Sequence, residues 1–428
     1  MRFPVFLELP GSQNVYVVEG FETFVEWQRM GGRWIKHEVL AQTWPEKRRI
    51  LDMLADDGPW ERMSREAFCG RIPLSILGMT ASPTAMTVLE HHELAPLTTF
   101  GVPAKARWFV RVESVEALRE ALQWAQDRNV EVMMLGGGSN MLFHQDHPGL
   151  VIHLAIGGIE SLEDDGQRLV GAAGAGVVWH EFVMYALDQG WGGLENLPLI
   201  PGNVGASPMQ NIGAYGVEIK DHFAWLEAVR LADGALKRFD AEACQFGYRE
   251  SVFKRAEKGK WAIVRVAFHL DRQSPLRMGY GAIEEELSHI PLASRTHRDV
   301  SDAVIRIRQY KLPDPSVIGN AGSFFKNPTV PSALAQELLS KHPGMPNYPQ
   351  DGGGVKLAAG WLIEQAGWKG HDRTTHGVHD RQALVLVNKG GAKGAEVWKL
   401  AGDIMDSVKA KFGVELEPEV NQIGLAQA

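Results

Sequence analysis

A chain of 428 residues is too long for one ordinary domain and predicts two or three. Its 45% hydrophobic and 22% charged residues are those of a soluble globular protein, and a net charge of -8 argues against a nucleic-acid or anionic-membrane surface. The two cysteines, Cys69 and Cys244, cannot supply a disulfide framework and match no zinc spacing, so they read as reduced thiols.

The apolar run before Glu8 is too short for a secretory signal and no later stretch is apolar enough to span a bilayer, which predicts a cytoplasmic protein. Residues 1–85 read as a small N-terminal α/β extension of unassigned role. It has strands near 3–8 and 15–18, helices near 21–30 and 45–56, and four tryptophans, Trp27, Trp34, Trp44 and Trp60. The small polar run Thr80 to Ala85 reads as a linker. Two readings of the extension stay open: a binding or regulatory module fused to the rest, or an upstream segment of a chain that starts at Met86.

Residues 106–275 alternate strands and helices. Phe109–Val112 reads as a strand, and Ser114 as the N-cap of a helix whose buried face is Leu118, Ala121, Leu122 and Ala125. Val130–Leu135 is a second strand and ends in Gly136-Gly137-Gly138-Ser139-Asn140. A third strand near 168–172 leads to a helix at 178–189, stopped by Gly190. From about residue 298 helices are expected at 299–309, 331–341, 356–366 and 394–412. Leu357, Trp361 and Leu362 form one apolar stripe there, and a buried strand is expected at 383–388.

Five segments carry chemistry. Consecutive glycines at 136–138 let the backbone turn sharply and gather N–H groups into one concavity suited to a diphosphate. A Rossmann turn is excluded, because Met141-Leu142-Phe143 continues as strand instead of opening a helix. The second segment, residues 201–216, is a long irregular loop rich in backbone donors. The third, Gly319 to Pro328, holds Ser323 between glycine-rich backbone and two phenylalanines, a placement that predicts a rigid hydroxyl away from bulk water. The others are Phe246 to Ser251, where Arg249 could fork onto a carboxylate, and Leu416 to Val420, which carries Glu419.

In this order the five segments resemble one family, the UDP-N-acetylenolpyruvoylglucosamine reductases, from about Leu94 to Gly424. The resemblance implies an α+β fold. It comprises a vanillyl-alcohol-oxidase-type FAD-binding domain over 90–275, a separate α+β substrate-binding domain over 298–415, and a segment, 416–428, that returns to the active site. It implies FAD as cofactor, held by Gly136, Gly137, Gly138, Ser139, Asn140, Pro201, Gly202, Gly205, Ser207, Gln210, Asn211, Gly213, Ala214 and Tyr215. NADPH is implied as co-substrate and an enolpyruvyl UDP-sugar as substrate, reduced to UDP-N-acetylmuramate for peptidoglycan. Ser323 matches the family's proton donor. Arg249 and Glu419 match the groups that meet the developing charge, which asks of Glu419 a raised pKa. Tyr280 resembles the tyrosine loop of one subclass, and Lys311 and Asn327 match the other diphosphate contacts. Asn421 stands where the family often has arginine.

A rival reading keeps the flavin fold and makes the chain an oxidase of a small alcohol. The Ser323 segment and the Tyr280 loop count against it. His371, His376 and His379 match no zinc motif and read as a surface loop. No histidine or cysteine lies in the Gly136–Asn140 turn to attach a flavin covalently.

Overall fold

A computed structural model of the chain describes residues 5–9, 14–18, 23–30, 33–40, 49–50, 53–54, 60–63, 68, 86–350 and 352–425. It divides into two units, Met1–Met86 and Thr87–Ala428.

The first unit is built on an antiparallel sheet with strands Val5–Glu8, Val15–Val18, Thr23–Met30, Arg33–Leu40 and Glu61–Arg62. Val5, Leu7, Tyr16, Val18 and Phe24 pack on Ile50, Met53 and Leu54, while Val15, Val25 and Trp27 pack on Phe68. The helix expected at 21–30 is therefore a strand; its register, Val15 opposite Trp27 and Val18 opposite Phe24, puts alternate residues on opposite faces. The linker at 80–85, most of the helix expected at 45–56, Trp44 and Cys69 lie outside the described residues.

The second unit begins with a four-stranded sheet in the order Leu89–Glu93, Lys105–Val112, His147–Leu154, Val132–Leu135, its last three strands parallel. Ser114 caps the helix Val115–Asp127, its hydroxyl accepting from Ala117 N at 3.1 Å. A five-stranded antiparallel sheet follows, in the order Ile159–Asp164, Arg168–Gly174, Trp261–Asp271, Phe223–Arg230, Leu236–Phe239. The helix Trp179–Asp188 packs on it through Trp179, Phe182 and Val183, all within 1% of full burial.

The third part packs helices Ser332–Lys341, Ala359–Gln365 and Gly394–Phe412 around two three-stranded sheets. Leu357 belongs to the strand Val355–Leu357 and not to the helix with Trp361 and Leu362. The long helix His297–Lys311 precedes this part. At the end of the chain Asn421–Ile423 pairs in parallel with Met141–Phe143, the strand that leaves the glycine turn. Residues 421–423 are thereby brought back beside Gly136–Asn140. Among the described residues no helix is long and apolar enough to cross a membrane.

Candidate functional site

The Gly136–Asn140 turn is held by close backbone approach. Gly138 has φ 58°, and a Cβ there would stand 2.1 Å from the Leu97 carbonyl oxygen. At Gly137 a Cβ would meet Asn203 Oδ1 at 2.8 Å and Gly202 Cα at 2.9 Å, so the turn and the 201–216 loop are pressed together. Gly136, by contrast, has nothing within 4 Å on its Cβ side.

These two segments line a cavity of about 520 Å³. Gly136, Gly137, Gly138, Ser139, Asn140, Pro201, Gly205, Ser207, Gln210 and Gly213 contribute to its wall, together with Arg249, Ser323, Asn327 and Glu419. Gly202, Asn211, Ala214, Tyr215, Tyr280 and Lys311 do not. A second cavity, of about 840 Å³, shares Gly136, Gly137, Leu154 and Asn203 with the first, so the glycine turn is a wall common to both.

Asn211 works behind the wall. It is fully buried; its Nδ2 donates to Glu218 Oε2 and to the Gly247 carbonyl, each at 2.9 Å, and its Oδ1 accepts from Lys220 N at 3.1 Å. It thus anchors the base of the loop that carries Arg249. Asn211, Tyr215 and Arg249 all adopt left-handed backbone, with φ of 44°, 51° and 54°. Non-glycine residues persist in that region only where surroundings over-determine them, and here all three sit at or beside the cavity.

Arg249 donates from Nη2 to the Gly213 carbonyl at 2.6 Å, and its Nε stands 3.5 Å from Glu419 Oε1. Burial raises the Glu419 pKa; the nearby cations Arg249, Lys254 and Lys326 pull the other way and do not cancel it. Glu419 N donates to the Phe324 carbonyl at 2.8 Å, which fastens the tail beside the Ser323 strand. Asn421 is an anchor: its N and Nδ2 both donate to the Asn140 carbonyl, at 3.1 and 2.9 Å.

Ser323 closes the strand Gly319–Ser323 and is exposed at the cavity, whereas Phe324 and Phe325 behind it are each 1% exposed. The two buried rings back the serine, which itself lies in the cavity wall. Asn327 has its Oδ1 engaged by Ala359 N at 2.9 Å, so it joins the cavity wall to the start of a helix. Tyr280 is half exposed and packs edge-on against Tyr215 at 5.2 Å between ring centres. Lys311 is exposed at the end of its helix.

Sequence reasoning missed Arg308. It lies in the cavity wall, donates from Nη2 to the Leu199 carbonyl at 3.1 Å, and keeps a buried Nε with no hydrogen-bond partner among the described residues. Burial depresses its pKa. The signal was available: Arg308 follows Val304 by four positions and so shares the buried side of its helix. An orphaned guanidinium donor, uncovered glycine backbone and a cavity of this size fit a dinucleotide such as FAD, which offers phosphate and carbonyl acceptors. Among the described residues no three His, Cys, Asp or Glu are placed to hold a metal ion.

Comparison with known proteins bears on this geometry. The family model described as UDP-N-acetylenolpyruvoylglucosamine reductase, C-terminal domain, matches residues 314–423, and an FAD binding domain model matches residues 106–240. The UDP-N-acetylenolpyruvoylglucosamine reductase of Pseudomonas fluorescens is 52% identical over 328 residues, 77% of this chain and 96% of that protein. The protein of the same name from Chromobacterium violaceum is 51% identical over 76% of this chain and 96% of its own length. Among solved structures, that of UDP-N-acetylenolpyruvylglucosamine reductase from Thermus caldophilus aligns with a TM-score of 0.54 at 25% identity, over 79% of this chain and 98% of that one.

Proposed function

The chain belongs to the UDP-N-acetylenolpyruvoylglucosamine reductase family, an FAD-dependent oxidoreductase family of peptidoglycan precursor synthesis, and on that premise we propose how its own residues carry the reaction. The substrate is the enolpyruvyl ether of UDP-N-acetylglucosamine and the product UDP-N-acetylmuramate, formed in the cytoplasm with NADPH as reductant. Bound FAD supplies the hydride that NADPH gives it and that the terminal alkene carbon receives.

The chain holds the rest of the chemistry. Residues 90–275 form the flavin part and 298–415 the substrate part, and the tail from residue 416 to 425 returns to the site. The Gly136–Asn140 turn and the 201–216 loop hold the dinucleotide. Hydride at the terminal carbon drives negative charge into the substrate carboxylate, and fixed donors must meet it. Arg249 takes that carboxylate. Glu419, its pKa raised by burial, shares a proton with it instead of repelling it. Ser323 Oγ donates the proton that completes the saturated ether at the carbon beside the carboxylate. Tyr280, Lys311 and Asn327 serve the diphosphate of the UDP-sugar.

What supports this reading is that Ser323, Arg249 and Glu419, from three distant segments, line one cavity with the glycine turn. The test is a two-step experiment. The purified, flavin-loaded protein is bleached anaerobically with NADPH, then mixed with the enolpyruvyl UDP-sugar. Return of the flavin colour with one saturated product per flavin supports the reading. A flavin that bleaches and is reoxidised only by oxygen overturns it.

A further inference from the structure

We propose that Lys326 is a positioning residue for this reaction, tying the loop that bears Arg249 to the tail that bears Glu419 across the strand that ends in Ser323. The inference rests on the roles assigned above to those three residues and adds the device that keeps them in register.

The three segments have unequal means of staying together. The tail is fastened to the Ser323 strand by backbone: Glu419 N donates to Phe324 O at 2.8 Å and Lys326 N donates to Glu417 O at 2.9 Å. The Arg249 loop is fastened elsewhere, to the flavin part, through Asn211 and through Ser251 Oγ on the Met209 carbonyl at 2.6 Å. Between loop and tail stands the Arg249–Glu419 contact at 3.5 Å. That contact is consumed in the proposed reaction, because Arg249 must turn its donors to the substrate carboxylate.

Lys326 is the link that need not break. Its Nζ donates to Glu417 Oε1 at 2.5 Å on the tail and to Glu250 Oε1 at 3.4 Å, next to Arg249. Its side chain is only 14% exposed. Burial alone would lower its pKa, yet the two carboxylates raise it, so the ammonium stays charged. Lys254 reinforces the arrangement from the loop side, its Nζ donating to the Arg249 carbonyl at 3.3 Å. Lys326 lines neither cavity, so its effect must pass through the residues it holds. A misplacement of ~1 Å in such a constellation costs about 10²-fold in rate.

The experiment separates the two half-reactions in flavin-loaded protein. Lys326→Met is expected to leave flavin bleaching by NADPH unchanged and to slow reoxidation by the enolpyruvyl UDP-sugar about 10²-fold, with Lys326→Arg restoring most of the rate. Glu250→Gln, which cuts the tie from the other end, is expected to slow the same half-reaction. Combined with Lys326→Met it is expected to add little further loss. Normal reoxidation in both single variants, beside a Ser323→Ala variant that is blocked, overturns the tie and leaves the catalytic assignments standing. Equal loss in both half-reactions, unrescued by Lys326→Arg, also overturns it. A Ser323→Ala variant with normal turnover removes the underlying reading, and the tie with it.

Discussion

Arg249 Nε stands 3.5 Å from Glu419 Oε1, the arginine held in left-handed backbone and the glutamate side chain 11% exposed. A cation beside a buried carboxyl ordinarily favours ionisation, but burial outweighs it here and Glu419 keeps a raised pKa. The pair presents both a fixed positive charge and a carboxyl that gives up its proton reluctantly.

That balance has a consequence for stability. A carboxyl whose pKa is higher folded than unfolded binds more protons in the folded state across the interval between the two values. Stability is then lost as pH rises through that interval. Glu419→Gln removes the dependence. Thermal melting of wild type minus variant should fall with pH from the ordinary carboxylate range upward to the raised Glu419 value and then level off. Turnover of the enol ether by the variant should be about 10²-fold down. A melting difference independent of pH would contradict the raised pKa.

Ser323→Ala should keep the fold, since the residue is exposed and Phe324 and Phe325 supply the packing. Reduction of flavin by NADPH should be unchanged, and turnover of the enolpyruvyl substrate should fall by about 10² to 10⁴-fold, the range for loss of a positioned acid. Stopped-flow absorbance of the two half-reactions checks this directly.

Gly137→Ala would place a methyl 2.8 Å from Asn203 Oδ1 and 2.9 Å from Gly202 Cα. The backbone of one loop must retreat from the other, widening the turn that gathers the N–H groups. The expected outcome is protein that purifies with substoichiometric flavin, measured by absorbance and by release of fluorescent FAD. Full flavin occupancy would show that the contact can relax.

Arg308→Leu removes a guanidinium whose Nε has no hydrogen-bond partner among the described residues. The unsatisfied buried donor costs about 1–3 kcal/mol and the lost bond to the Leu199 carbonyl is worth about as much, so the apoprotein should melt close to wild type. FAD titrated into apoprotein should bind about tenfold more weakly if the orphaned donor meets an acceptor of the cofactor. Unchanged affinity would place Arg308 outside the cofactor's reach.

Much of the site was legible in the sequence because its signals are local. Consecutive glycines at 136–138 state a tight backbone approach, and Gly138 shows why, with a carbonyl where a side chain would be. The caps at Ser114 and Gly190 were readable for the same reason: a hydroxyl accepting from Ala117 N and a φ of 75° are near-neighbour events. Errors arose where the partner strand decided. Phe24 and Trp27 are spaced as on a helix, but pairing with Val15–Val18 made Thr23–Met30 a strand. Leu357 looked continuous with Trp361 until its pairing with Asn347 took it into a sheet.

The amino-acid sequence alone determined which residue types are present to turn the backbone, gather donors and move a proton, because glycine freedom and side-chain chemistry belong to each residue. Tertiary structure decided their company. The return of Asn421–Ile423 to the strand after the glycine turn, the anchoring of Asn211 behind the wall and the Lys326 tie all join segments remote in sequence. No local pattern encodes such pairings, because they are selected by the free energy of packing the whole chain.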